Sequence, residues 1–224
     1  MELVWPTRCA GCEKPGRLLC TDCAEALNYT KQEYACPYCG APFGFLVCTE
    51  CYSRDGKEKH AFSAAVCTLS LDGLVGRIIV LYKDNNEQRL SSTLAEILLA
   101  ALPQSWLNWA DTLTWIPVDR KAQRRRGFDH MQRIAQDIAQ FTNMRTSELL
   151  HKKPCRDQRG LSRKERIDNL KESFSLTNEA ESVPQNVLLI DDVLTTGSTL
   201  NAATLTLIEG GAQEVRVVSI ARAW

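Results

Sequence analysis

Two groups of residues in this 224-residue chain have the types and spacing to do chemistry. Eight of the ten cysteines stand in four Cys-x-x-Cys pairs: Cys9/Cys12, Cys20/Cys23, Cys36/Cys39 and Cys48/Cys51. Such a turn brings two sulfurs from one tight knuckle to the same ion, and two knuckles complete the tetrahedral four-thiolate shell that zinc prefers. The second group is the run 187–200, VLLIDDVLTTGSTL, in which an apolar stretch ends in Asp191 and Asp192 and hydroxyl residues then surround one glycine. A helix starting there would point backbone N–H groups and its positive dipole end at an anion. Thr195, Thr196, Ser198 and Thr199 add hydroxyl donors, and Gly197 lets the backbone close around a phosphate. The carboxylates would repel a phosphate if they faced it, so the partners expected for them are sugar hydroxyls or a hydrated magnesium ion. A phosphorylated ribose satisfies both halves.

The cysteine pairs are separated by seven, twelve and eight residues. The short outer gaps predict two sites, Cys9, Cys12, Cys20 and Cys23 on one ion and Cys36, Cys39, Cys48 and Cys51 on the other; a cross-braced pairing stays open. Iron–sulfur clusters call for other, family-specific spacings, so two structural zinc ions are expected. Each four-thiolate zinc carries a charge of −2, which moves the formal charge from zero to about −4. Gly11, Gly40, Pro37 and Pro42 suit knuckle turns, and with few large aliphatics the module needs metal for much of its folding energy. Its role is a contact with nucleic acid or protein, or a structural cap on the rest of the chain; the lack of a basic stripe favours the cap. Of the two remaining cysteines, Cys67 lies in an apolar run and is read as a small buried hydrophobe, and Cys155 is assigned no role.

These groups need elements to position them. The length suits one α/β domain and a small appendage, divided here as a zinc module at 1–56 and a larger domain at 60–224. In the latter the pattern predicts strands at 63–71, 112–118, 148–152, 186–193 and 214–221, with helices at 74–82, 87–102, 128–141 and 198–209. Asp72 caps the first helix, and Gly210-Gly211 closes the last. Apolar strands without alternation, joined through helices, indicate a parallel sheet covered on both faces, an α/β fold. With 44% hydrophobic residues the composition is globular. No run is long and apolar enough to insert in a membrane, and the start lacks the features of a signal peptide, so a cytoplasmic location is expected.

Residues 120–171 hold 15 Lys or Arg against six Asp or Glu, a local excess of +9 that implies an anionic partner. Within this stretch, residues 116–119 (IPVD) lead into Arg124-Arg125-Arg126-Gly127-Phe128. With the run 187–200, this segment makes the chain resemble the type I phosphoribosyltransferases and, over its whole length, the ComF family of competence-associated proteins. The resemblance implies a phosphoribosyltransferase-like parallel sheet with flanking helices, binding 5-phosphoribosyl-1-pyrophosphate (PRPP) or a related ribose phosphate together with magnesium. Asp191 and Asp192 would contact the ribose hydroxyls as the catalytic pair, and the loop from Thr195 to Thr199 would cradle the 5-phosphate. By position Asp119 and Arg120 would serve the pyrophosphate. Arg124, Arg125, Arg126 and Arg166 would meet pyrophosphate or nucleic acid. Gln158, Leu161, Arg166, Asn169 and Phe174 resemble the family pattern where these enzymes carry a mobile loop. ComF-like chains continue Arg-Gly-Phe with Asn-Gln, whereas this one has Asp129-His130; Asp129 is read as a helix cap and His130 as a solvated or capping side chain. Lys83 also matches a family segment and is assigned no role.

Two functions follow. One is magnesium-dependent phosphoribosyl transfer to a nitrogen acceptor. The other is a non-catalytic module of DNA uptake that binds single-stranded DNA and the uptake machinery. The basic stretch contains Phe128 and Phe141 but no Trp or Tyr, which weighs against base stacking there.

Overall fold

The computed structural model describes residues 6–42, 47–52, 60–153, 173–177 and 182–223. In chain order the elements are α1 (Thr21–Glu25), β1 (Ala64–Ser70), α2 (Gly73–Lys83), α3 (Leu90–Ala101), α4 (Gln104–Trp109), β2 (Thr112–Trp115), α5 (Arg120–Arg126), α6 (His130–Thr142), β3 (Leu150–Lys152), β4 (Phe174–Leu176), β5 (Asn186–Leu194), α7 (Ser198–Glu209) and β6 (Glu214–Arg222).

Four strands form one sheet in the order β1-β6-β5-β2, and every neighbouring pair is parallel. The run of Val, Leu and Ile in β5 is unbroken because both faces are covered, and the pleat sends alternate residues to opposite cores. Leu188 and Ile190 join Ile78, Leu94, Leu98 and Ile134 on the face covered by α2, α3 and α6. Val187 and Leu189 join Leu200, Leu207 and Phe174 on the face covered by α7 and β4. Asp72 caps α2 by accepting from the Val75 amide at 2.8 Å, as its position predicts. Among the described residues no helix is long and apolar enough to cross a membrane.

The structure departs from the sequence reading in four places. The Trp-rich connection contains a helix, α4, and the arginine-rich segment is helical as α5. The strand expected over 112–118 ends at Trp115, two residues before Pro117, a residue that has no amide to extend the ladder. The strand near 150 leaves the main sheet and pairs antiparallel with β4. Cys155, Gln158, Leu161, Arg166 and Asn169 lie outside the described residues.

An open sheet presents unpaired amides at its edges, and both edges here are covered. Along β1, the Thr30 amide donates to the Thr68 carbonyl at 2.9 Å, Ser70 donates to Asn28 at 2.9 Å and Ala65 donates to Pro37 at 3.2 Å, so the cysteine module seals that side. At β2, Leu113 donates to the Arg145 carbonyl and accepts from Ser147. These contacts make the module a structural cap on the sheet.

Candidate functional site

The acidic pair lies at the carboxyl end of β5, a central strand, where open parallel sheets bind ligands. The chain then turns through Gly197, which has φ of +79° and precedes α7. The N-cap Gly197 supplies no side-chain cap and the Ser198 amide donates to the Thr196 hydroxyl at 3.4 Å; the helix start borders a small hollow lined by Asp191, Thr195, Gly197, Ser198 and Thr199. The Thr196 and Ser198 hydroxyls are 2.9 Å apart. From beneath, Arg222, 4% exposed, donates through Nη1 to the carbonyls of Leu194, at 3.0 Å, and Thr195. A Cβ on Gly197 would stand 3.0 Å from Cε1 of the His60 ring. Tight backing of this kind, together with the positive φ, explains the glycine.

The hollow adjoins a cavity of about 270 Å³, whose polar lining includes Asp119, Arg126, His130, Lys152, Asp191 and Asp192. The two carboxyls differ in electrostatics. Burial, and then the neighbouring Asp192, push the Asp191 carboxyl well above the usual range, although the Asp192 amide donates to it at 2.9 Å. Burial also acts to raise Asp192, but the His130 hydrogen bond and the Lys83 ammonium outweigh it and hold that carboxyl below the usual range. Lys83 Nζ lies 2.7 Å and His130 Nε2 3.2 Å from Asp192 Oδ2.

Here the structure corrects the reading of His130 as solvated. The residue is 6% exposed and lines the cavity. An ionised carboxylate can only accept, so Nε2 carries the proton in this contact. Its backbone carbonyl accepts from Tyr82 at 2.6 Å. Lys83, assigned no role from sequence, forms an ion pair across the site from the last residue of α2. Its match to a family segment was the only available signal.

The other candidates divide. Asp119 caps α5, accepting from the Lys121 and Ala122 amides at 2.9 Å. The Ala122 bond, opposed by burial and supported by Lys121, holds its carboxyl low. Arg126 lines the cavity and bonds Asp84 at 2.8 Å, whereas Arg120, Arg124 and Arg125 are exposed. Arg166 lies outside the described residues. Asp129 caps α6, as expected, and also accepts from the Val118 amide at 3.1 Å. Lys152 was not singled out in the sequence because nothing local shows that β3 carries it to the sheet's carboxyl end.

The cysteines form two groups, Cys9, Cys12, Cys20 and Cys23, and Cys36, Cys39, Cys48 and Cys51, with the sulfurs of each group within 4.8 Å of one another. This is the sequential pairing; the cross-braced one is excluded. The Gly11 and Cys20 amides donate to Cys9 Sγ at 3.4 and 3.3 Å. Burial pushes the Cys23 thiol up to about 12 and the Cys39 thiol up to about 11. Four sulfurs this close cannot all ionise without a cation, and an all-sulfur set of four fits zinc. Cys67 is fully buried, as expected, and accepts from the Ser219 hydroxyl at 3.2 Å.

A parallel sheet whose central strand ends in a carboxylate pair and an uncapped helix start, with a four-thiolate module on its edge, defines a phosphoribosyltransferase-type protein. The family model described as phosphoribosyl transferase domain matches residues 129–223. Competence protein F of Haemophilus influenzae is 28% identical over 214 residues, covering 92% of this chain and 90% of that protein. The DNA utilization protein YhgH of Salmonella typhi is 26% identical over 228 residues, covering 98% and 99%. Over most of its length the chain is similar to these competence and DNA utilization proteins, and its carboxy-terminal part matches the phosphoribosyl transferase domain. Among solved structures, the allosteric regulatory enzyme of purine biosynthesis matches 58% of this chain and 25% of its own, at 20% identity and a TM-score of 0.40.

Proposed function

We infer that the protein binds PRPP, or a closely related ribose phosphate, with magnesium, and transfers the phosphoribosyl group in the cytoplasm. The observation that carries this reading is the joining of two opposite requirements at one strand end. An uncapped helix start with its hydroxyl loop suits the 5-phosphate, and the carboxylates beside it suit sugar hydroxyls. Asp191 and Asp192 orient the ribose. The amides of α7 and the hydroxyls of Thr195, Thr196, Ser198 and Thr199 neutralise the phosphate. Arg126 and Lys152, on the cavity wall, face the pyrophosphate as it leaves carbon 1 and a nitrogen nucleophile attacks. Fixed cations placed where negative charge develops lower the barrier. Magnesium, when bound with PRPP, supplies further neutralisation of the pyrophosphate.

Calorimetric titration of zinc-loaded protein with PRPP and magnesium tests this reading. Saturable binding is expected, and it should be lost in Asp191→Asn and Thr196→Ala. A folded protein that does not bind PRPP would end it.

A second reading has its own observation. Arg120, Lys121, Arg124 and Arg125 are exposed together on α5, and the relatives are named for competence and DNA utilization. On this reading the helix meets the phosphates of single-stranded DNA during uptake. Four such contacts predict a slope of log affinity against log salt of about −3, at about −0.7 per phosphate. Affinity that barely responds to salt would exclude it.

A further inference from the structure

The loop between β5 and α7 is held from below by one buried side chain. The Nη1 of Arg222, at the end of β6, donates to the Leu194, Thr195 and Ala223 carbonyls. These bonds fix the backbone immediately before Thr196 and Gly197. Its Nη2 forms an ion pair at 4.0 Å with Glu50, which stands between Cys48 and Cys51 within the second cysteine group. That group reaches the same region by another route. Cys67 Sγ contacts the Cys39 carbonyl at 3.6 Å, and a Cβ on Gly40 would fall 2.6 Å from that sulfur. Cys67 in turn accepts from Ser219, the register partner of Asp191. The first cysteine group docks elsewhere: the Gly11 carbonyl accepts from Arg77 of α2 at 2.9 Å, and a Cβ on Gly11 would meet Leu74.

We propose that Arg222 is a positioning residue for the phosphate loop, and that metal at Cys36, Cys39, Cys48 and Cys51 sets the order of that loop through Glu50 and Arg222, whereas metal at the first group does not. The physical reason is that Glu50 sits on a four-residue turn whose two ends, Cys48 and Cys51, are metal ligands. With the ion bound, the carboxylate is held where it meets the guanidinium; without it, the turn has no fixed geometry and Arg222 loses that partner. The guanidinium fork spans Glu50 on one nitrogen and the loop carbonyls on the other, so a change on one side is felt on the other. The consequence for ligand affinity rests on the function proposed above; the ordering of the loop does not.

The test is therefore made first on ligand-free protein. Hydrogen exchange of the amides that close the loop, Asn201 onto the Gly197 carbonyl and Ala223 onto the Leu194 carbonyl, is measured beside zinc content for Glu50→Gln, Cys48→Ser and Cys12→Ser. Glu50 has a side chain 61% exposed, so Glu50→Gln is expected to fold and keep both ions. Breaking a pair of this exposure should speed loop exchange roughly two- to fivefold. Cys48→Ser, which empties the second site, should speed it further, and Cys12→Ser should leave it unchanged. PRPP affinity should fall by the same factors, because disorder in the loop is a cost charged to binding. The proposal is overturned if Cys12→Ser loosens the loop as much as Cys48→Ser, or if Glu50→Gln leaves loop exchange at the unsubstituted rate. If the exchange pattern is as expected but the unsubstituted protein does not bind PRPP, the proposed function fails and the coupling stands.

Discussion

Asp191 and Asp192 are adjacent in sequence yet displaced in opposite directions. Asp191 has a folded-state pKa above its unfolded value near 3.9. Between those two values the folded state binds more protons, so stability falls as pH rises, and the loss persists at neutral pH. Asp192 behaves inversely: its depressed pKa contributes stability above the unfolded value, and this is lost as pH falls toward the folded one. Asp191→Asn keeps an acceptor for the Asp192 amide and removes the buried charge. It is expected to raise the melting temperature by about 2–4 °C at neutral pH, with the gap closing toward about pH 4, while abolishing ribose-phosphate binding. A scan of melting temperature against pH for both proteins checks this; a drop at neutral pH would contradict it. Stability lost to a buried carboxyl is what a site built for a ligand's hydroxyls would show.

At the scale of elements, the contrast lies between helix starts. Aspartates cap α2, α5 and α6; α1, α3, α4 and α7 have no side-chain cap, and of these α7 begins at a left-handed glycine. In α2, α5 and α6 an aspartate takes up one or two first-turn amides, whereas in α7 the Ser198 amide meets the Thr196 hydroxyl at 3.4 Å, a helix start of the kind that can take an anion. Gly197→Ala would force a side chain into the left-handed region and toward His60, 3.0 Å away. A destabilisation of about 1–2 kcal/mol is expected, read by urea denaturation, with loss of PRPP binding by calorimetry. Unchanged binding in this variant would mean that the loop geometry does not matter to the ligand.

At the scale of the molecule, the cysteine module is a cover for β1, the strand at one edge of the sheet. Removing zinc with a chelator should unfold the module, expose the amides and carbonyls of β1 and promote association between chains. Light scattering beside a zinc assay reads this out. Chelated protein that stays monodisperse with an unchanged melting profile would show that the cover needs no metal.

Much of this was legible in one dimension because the signals are local. The cysteine spacing dictates two four-sulfur sites, since a knuckle turn spans only four residues. The strand, carboxylate pair and hydroxyl loop at 187–200 specify their own arrangement, since each part is covalently next to the other. Asp72 and Asp129 read as caps because a cap acts within three residues. Other features were decided only by the fold. His130 is buried because α6 packs against the end of β5, and Lys83 meets Asp192 from 109 positions away. Arg222 lies at the end of one strand and supports the loop after another, 27 positions back. Sequence spacing carries no information about which strand lies beside which, and the parallel order β1-β6-β5-β2 is what brings these distant side chains to one end of the sheet.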